Sequence, residues 1–310
     1  MSGADPRPVT IPAELARNVV ENWAEDGAQW LAALPALIDD VARDWELTVG
    51  SPYELSFHWV TPVTRAGGSP AVLKLGVPSS GHLSVEAEAL RVYAGQGAVR
   101  LLAEDRARGA LLLERAEPGT PAAALVPEDD VAATAALVEV GQRLHRPVPP
   151  GCTLPELSAE RESFRAHLAR FGHDDPLPRH LVTRAAGLFD ELCASAPDRH
   201  VLHGDLHHDN VLRARREPWL AIDPHGVVGD RGYDCGAMLY NPEPDRREDS
   251  LLALVPARVE QLADGFGLPL DRVVAWGFVM GVLSEVWTAE AGTPGSRALD
   301  VAMLLEPRLA

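Results

Sequence analysis

Val201-Leu-His-Gly-Asp-Leu-His-His-Asp-Asn-Val-Leu212 and, after a short Arg-rich turn, Trp219-Leu-Ala-Ile-Asp-Pro-His-Gly226 are the stretches on which the reading of this chain turns. Two short apolar runs, at 211–212 and 220–222, predict a small hairpin. Each run adjoins a polar group: Asn210 precedes the first, Asp223 follows the second, and Asp205 lies a little upstream. Such a hairpin would bring Asn210 and Asp223 to one point, with Asp205 just beyond.

Phosphoryl transfer needs such a set. Its transition state requires little covalent help, so catalysis is mostly positioning and charge neutralisation. One carboxylate, Asp205, suits orientation and deprotonation of an attacking hydroxyl. An amide and a second carboxylate, Asn210 and Asp223, suit Mg²⁺, a hard ion that prefers oxygen ligands. A Lys on a strand in another lobe would meet the nucleotide phosphates, with a Glu on the next helix to fix it. The chain supplies Lys74 on the β-like run Ala71-Val-Leu-Lys-Leu75, and Glu86 or Glu88 twelve or fourteen residues later. Lys74 is the single lysine; every other basic side chain is Arg or His. A compact ammonium used as a point charge on phosphate is a job that Arg does not duplicate.

His203-Gly-Asp205-Leu-His-His-Asp-Asn210 resembles the catalytic loop of aminoglycoside phosphotransferases and related kinases, and Ile222-Asp223-Pro-His-Gly226 looks like their metal-binding segment. The two histidines, the Asp-Pro-His-Gly, and Gly229-Asp-Arg-Gly-Tyr-Asp234 followed by Asn241-Pro242 are most similar to the streptomycin 6-kinase / hydroxyurea phosphotransferase branch. Leu73-Lys-Leu-Gly76 and Leu283-Ser-Glu-Val-Trp287 fit that branch as well. The resemblance covers roughly residues 12–291 and is strongest over 201–242.

It implies an α+β, protein-kinase-like fold with a small, mostly β N-terminal lobe (1–115) and a larger helical C-terminal lobe (116–310) for catalysis and acceptor binding. ATP and Mg²⁺ would be the cofactors. Asp205 would be the base, Asn210 and Asp223 the metal ligands, and Lys74 the phosphate contact. Glu86 rather than Glu88 would be the lysine's partner, by the spacing of the family's helix. Glu114 and its neighbours would form a hinge meeting adenine. Glu285, Trp287 and Glu290, at the polar end of the last apolar helix, are candidates for acceptor contact. One departure stands out: Ser51-Pro-Tyr-Glu-Leu-Ser56 occupies the place of a Gly-rich loop. Without glycine the backbone approaches phosphate less easily.

The rest of the chain agrees with this organisation. Helical periodicity over 11–46, broken near Asp26-Gly27, gives way to β-rich runs at 55–61 and 71–75 joined by a turn at 66–70. A helix is expected over 84–93, strands at 99–103 and 109–114, and helices over 127–146, 156–171, 179–195, 246–266 and 271–291. The Pro-rich stretch Arg146-Pro-Val-Pro-Pro-Gly151 reads as a loop within the second lobe. Trp276, Phe278 and Met280 read as core, Asp234 as an acceptor of backbone hydrogen bonds from the catalytic loop, and His203 as a backbone-bonding scaffold. His207, His208 and His225 receive no catalytic role.

Composition bounds the function classes. The net charge of −17, from 45 acidic and 28 basic residues, argues against nucleic acid as a partner. It is compatible with a cationic small-molecule acceptor bearing a hydroxyl. The longest apolar run, 273–283, is eleven residues, short of the roughly 20 that span a bilayer, so no membrane role is expected. The start carries no secretory pattern and the three cysteines are widely spaced, which suits the cytoplasm. The rival readings are a metabolic kinase of a sugar or amino alcohol on the same scaffold, a non-catalytic nucleotide-binding module, and a His/Asp metal-dependent phosphohydrolase.

Overall fold

A computed structural model describes residues 10–172, 174–242, 249–290 and 297–309. The chain divides into two compact units: Met1–Gly95 with Val99–Arg115, and Gln96–Ala98 with Ala116–Ala310.

The first unit opens with α1 (Ala13–Asp44), where Trp30, Leu34, Ile38 and Val41 fall on one buried face at helical spacing. The expected break is present but sits at Ala24, whose φ of 43° and ψ of −117° interrupt the helix two residues before the Asp-Gly pair. That face covers a five-stranded antiparallel sheet formed by β1 (Leu47–Val49), β2 (Trp59–Arg65), β3 (Pro70–Leu75), β4 (Leu101–Asp105) and β5 (Ala110–Glu114), in the order β1-β2-β3-β5-β4. The β2–β3 hairpin turns through 66–69, and β2 begins at Trp59 rather than at Leu55. The intervening loop is tied back where the Tyr53 N–H donates to the Val60 carbonyl at 3.0 Å. Between β3 and β4 runs α2 (His82–Tyr93), buried through Leu83, Glu86, Ala87 and Leu90.

The second unit is mostly helical. Asp129 caps α3 (Asp130–Leu144) by accepting from the Ala132 N–H, the usual service of a short acidic side chain at an N-cap. The Pro-rich stretch then forms a loop, whose first residues make β6 (Arg146–Pro147). Next come α4 (Arg161–Arg170), α5 (Arg179–Ala194), β7 (His200–Leu202), β8 (Val211–Arg213), β9 (Trp219–Ala221) and β10 (Val227–Gly229). The unit closes with α6 (Gly232–Tyr240), α7 (Asp249–Leu252), α8 (Val255–Phe266), α9 (Leu270–Glu290) and α10 (Arg297–Leu305). Strands β6, β7 and β10 form one small antiparallel sheet, and β8 with β9 forms the hairpin expected from the sequence. Helix α9 is apolar on every side and packs against α4, α5, α6, α8 and α10. Trp276, Phe278 and Met280 are core residues there. Among the described residues no helix is long and apolar enough to cross a membrane.

Candidate active site

In the first unit Lys74 lies in mid-sheet on β3, opposite Val60 of β2 and Leu111 of β5. Its Nζ donates to Glu86 Oε2 at 2.7 Å, and both side chains are almost wholly enclosed. Glu86, not Glu88, therefore takes the lysine. An ion pair so enclosed is held by geometry: Coulomb attraction at short range offsets desolvation, and removing either partner strands the other. Glu114, expected at a hinge, ends β5, and its carboxylate accepts the N–H of Arg100, the residue before β4, at 2.9 Å.

In the second unit the sequence 201–226 folds upon itself. Pairing of Val211 with Ala221 and of Leu212 with Leu220 aligns the two arms of the hairpin. The Ile222 N–H donates to the Asn210 carbonyl at 2.9 Å, which places Asn210 beside the residue that precedes Asp223. His203 Nε2 donates to the Ile222 carbonyl at 2.9 Å, and the Gly226 N–H donates to the His203 carbonyl at 3.0 Å. The loop carrying Asp205 is thus stitched to the segment carrying Asp223 through backbone groups on both sides. Gly204 turns the chain at φ +87°, and a Cβ there would stand 3.1 Å from that of His225. Asp223 itself has φ 57°, a left-handed conformation that an Asp tolerates at some strain and that recurs at functional sites.

Asp234, at the start of α6, anchors the loop from beneath. Its Oδ2 accepts the His203 N–H at 3.1 Å and its Oδ1 the Gly204 N–H at 2.8 Å. His145, just past the end of α3, approaches Oδ2 at 3.0 Å through Nε2. The sequence suggested the backbone bonds; the His145 contact was invisible to it, because the two residues lie far apart along the chain.

Asn210 Nδ2 donates to the Asp205 carbonyl at 3.0 Å and lies 3.0 Å from His207 Nε2. With the amide nitrogen engaged inside the loop, Oδ1 is the end left to face outward as a ligand. That donor set, an amide oxygen and the Asp223 carboxylate, fits a hard divalent cation. Burial works to raise the Asp205 carboxyl, but the His207 imidazole, assisted by His225 and His203, outweighs it and holds the group below its ordinary value. Burial equally works against a charged His207, yet the carboxylates of Asp205 and Asp209 prevail and hold it up at about 9. Burial alone dominates at His203, which is pushed down and kept neutral.

The acceptor candidates divide. Glu285, expected on the solvated end of α9, is buried, on the flank of the helix opposite to the exposed Trp287. Trp287 is 38% exposed, and its Nε1 donates to Ser163 Oγ at 3.4 Å. Ser163 in turn donates to Glu160 Oε2 at 3.1 Å, a link between α9 and the start of α4 that no sequence signal suggested. The side chain of Glu290 lies outside the described residues.

A β-rich unit bearing a buried Lys–Glu pair, together with a helical unit bearing an Asp-loop-Asn hairpin, defines a protein-kinase-like phosphotransferase. Solved structures agree on the fold. Choline kinase LicA from Streptococcus pneumoniae superimposes with a TM-score of 0.61 at 14% identity, covering 88% of this chain and 98% of the other. An aminoglycoside-3'-phosphotransferase of type VIII does so with a TM-score of 0.53 at 20% identity, covering 80% and 99%. Residues 50–292 match the aminoglycoside/hydroxyurea antibiotic resistance kinase family, and the chain belongs to it. It is 36% identical over 304 residues to streptomycin 6-kinase of Streptomyces glaucescens, spanning 95% of this chain and 94% of that one. It is 33% identical to hydroxyurea phosphotransferase of Kitasatospora aureofaciens, spanning 95% and 85%. The protein is accordingly a kinase that phosphorylates a hydroxyl group.

Proposed function

We propose that the chain transfers the terminal phosphoryl group of ATP to a hydroxyl of an aminoglycoside of the streptomycin type, with hydroxyurea as the second candidate acceptor. The observation that carries this reading is the stitched loop, in which Asp205, Asn210 and the Asp223 segment are held together by backbone bonds. The identity to streptomycin 6-kinase over nearly the full chain supports the acceptor class.

Asp205, kept ionised, orients the acceptor hydroxyl and takes its proton as the oxygen bonds to phosphorus and ADP departs. Asn210 and Asp223 would hold Mg²⁺, which would supply charge neutralisation at the phosphate oxygens. Lys74, fixed by Glu86, meets nucleotide phosphate, and backbone groups next to Glu114 meet adenine. Trp287, Glu285 and Glu290 on α9 are the candidates for acceptor contact, and of the two whose side chains are described Trp287 is the exposed one. The low pKa of Asp205 marks it more as an orienting group than as a strong base, consistent with a loose transition state in which proton transfer is late.

The test is an ADP-release screen against streptomycin, other aminoglycosides, hydroxyurea, amino sugars and choline, with the product's phosphate located by NMR. Streptomycin should be turned over with kcat/KM at least about tenfold above the other compounds, a difference of roughly 1.4 kcal/mol in transition-state binding. Turnover of choline or an amino sugar alone would replace the resistance reading with a metabolic one.

A further inference from the structure

We propose that Trp23, beside the break in α1, is a positioning residue for the nucleotide, holding the glycine-free loop 51–58 in place next to Lys74. This rests on the contact proposed above between Lys74 and nucleotide phosphate. The loop joins β1 to β2 and enters β2 at the end where Val60 pairs with Lys74. Its Tyr53 N–H donates to the Val60 carbonyl, so the loop is fastened to the residue that faces the lysine across the sheet. Ser51 to His58 contain no glycine, so the close turns that wrap a backbone around phosphate are not supplied by the loop itself. Its placement has to come from neighbouring elements.

Those neighbours are on α1. Asn18 Nδ2 donates to the Ser56 carbonyl at 3.0 Å. Trp23 stands edge-on to Phe57 with ring centroids 6.4 Å apart, and lies 6.3 Å from His58. Its ring also meets His82, the first residue of α2, at 5.6 Å. These separations fall in the range over which aromatic rings attract. The break that aims Trp23 is tightly closed: a Cβ on Gly27 would stand 2.5 Å from the Val19 carbonyl. Ala24 carries its strained φ of 43° there, and such strain persists where surrounding contacts over-determine the chain. Asp26 fastens the same bend, its Oδ2 accepting the Ser79 hydroxyl at 2.7 Å in the connection from β3 to α2. His58 in turn lies against Gly76, where a Cβ would come within 2.6 Å of its ring. The bend of α1 therefore grips loop 51–58 and the segment leading from Lys74 to Glu86 together. A loop that holds its binding arrangement only a tenth of the time binds its ligand about tenfold more weakly.

Nucleotide binding reads the loop without any acceptor. Mg·ATP is titrated by calorimetry into the wild-type chain and into Trp23→Ala, Trp23→Phe and Asn18→Ala, each well below its melting midpoint. Trp23→Ala should raise the Kd at least about fivefold, while Trp23→Phe, which keeps a ring between the loop and His82, should stay within about twofold of wild type. Asn18→Ala removes one exposed contact to the loop and should raise the Kd at least about threefold with an unchanged melting midpoint. A Trp23→Ala chain that melts earlier but binds Mg·ATP as wild type does, or a Trp23→Phe chain as weak as Trp23→Ala, overturns the proposal and leaves α1 as scaffold. Should Trp23→Ala not fold, Asn18→Ala decides: a wild-type Kd there overturns the proposal. A wild-type chain that binds no Mg·ATP would instead sink the nucleotide reading of Lys74, on which the proposal stands.

Discussion

Lys74 Nζ donates to Glu86 Oε2 at 2.7 Å, with 5% and 4% of the two side chains exposed. The lone lysine of the chain is thus spent inside the first unit, between the middle of its sheet and α2. Lys74→Arg keeps the charge but brings a larger planar group into a packed site. It should weaken phosphoryl transfer by at least about tenfold and lower stability by roughly 1–3 kcal/mol, the usual penalty of overpacking. Lys74→Ala should be worse for the fold, by roughly 3–5 kcal/mol, because a buried carboxylate loses its counter-charge. Thermal melts alongside steady-state kinetics check both; a fully active, fully stable Arg variant would remove Lys74 from the site.

Asp205→Asn should leave the fold and nucleotide binding nearly intact while turnover falls by about 10²–10⁴, the typical worth of a positioned base. The amide still accepts and donates hydrogen bonds but takes no proton. Nucleotide titration by calorimetry and turnover with the best acceptor separate binding from chemistry. Turnover within a few-fold of wild type would exclude Asp205 as the base.

Metal dependence is expected if the Asn210 and Asp223 oxygens are the proposed Mg²⁺ ligands. EDTA should abolish acceptor phosphorylation and Mg²⁺ should restore it, and Asp223→Ala should lose activity without regaining it from zinc. Acceptor phosphorylation that survives EDTA would dismiss both ligands together.

Asp234 accepts two backbone N–H groups of the catalytic loop and meets His145. Asp234→Ala strands these buried groups, each costing about 1–3 kcal/mol when left unpaired. Urea unfolding should show a loss of at least about 2 kcal/mol, and turnover should fall because the loop bearing Asp205 is released. A stable, active Asp234→Ala enzyme would show that the loop holds its shape unaided.

Burial holds the His203 imidazole below the ordinary value of 6.5, and His200 and His208 are shifted the same way, so the folded state binds less proton at these rings than the unfolded chain. Stability from these groups is complete above the unfolded pKa and is lost as pH falls below it, since stability rises with pH wherever the unfolded state binds more protons. His207, raised to about 9, acts in the opposite sense: its contribution grows as pH falls from 9 and is complete only below 6.5. Urea midpoints should therefore fall between pH 6.5 and 5.5, where His207 has little left to gain, ahead of carboxylate protonation. A midpoint that rises between pH 6.5 and 5.5 would contradict neutral, enclosed rings at His203, His200 and His208.

Much of the site was legible in one dimension because its atoms are neighbours in one dimension. His203, Asp205, Asn210 and Asp223 lie within a single loop and hairpin, and short-range backbone pairing alone aligns Asn210 with Ile222. The same locality made the β2–β3 hairpin and the long amphipathic α1 readable from period and turn chemistry. Lys74 stood out by composition, since nothing else in the chain could do a lysine's work.

The tertiary structure decided what depends on packing at long range. Glu285 and Trp287 are two residues apart on one helix, yet the first is sealed and the second open, because which flank of α9 is covered is set by the helices packed around it. Periodicity cannot assign an exposed face to a helix that is apolar all round. His207 and His208 are adjacent and chemically identical; only the fold turns one toward Asp205 and encloses the other. His145 reaches Asp234 across 89 residues of sequence. Sequence names the groups that local backbone geometry brings together, while burial and long-range contact are fixed only when every neighbouring element is in place.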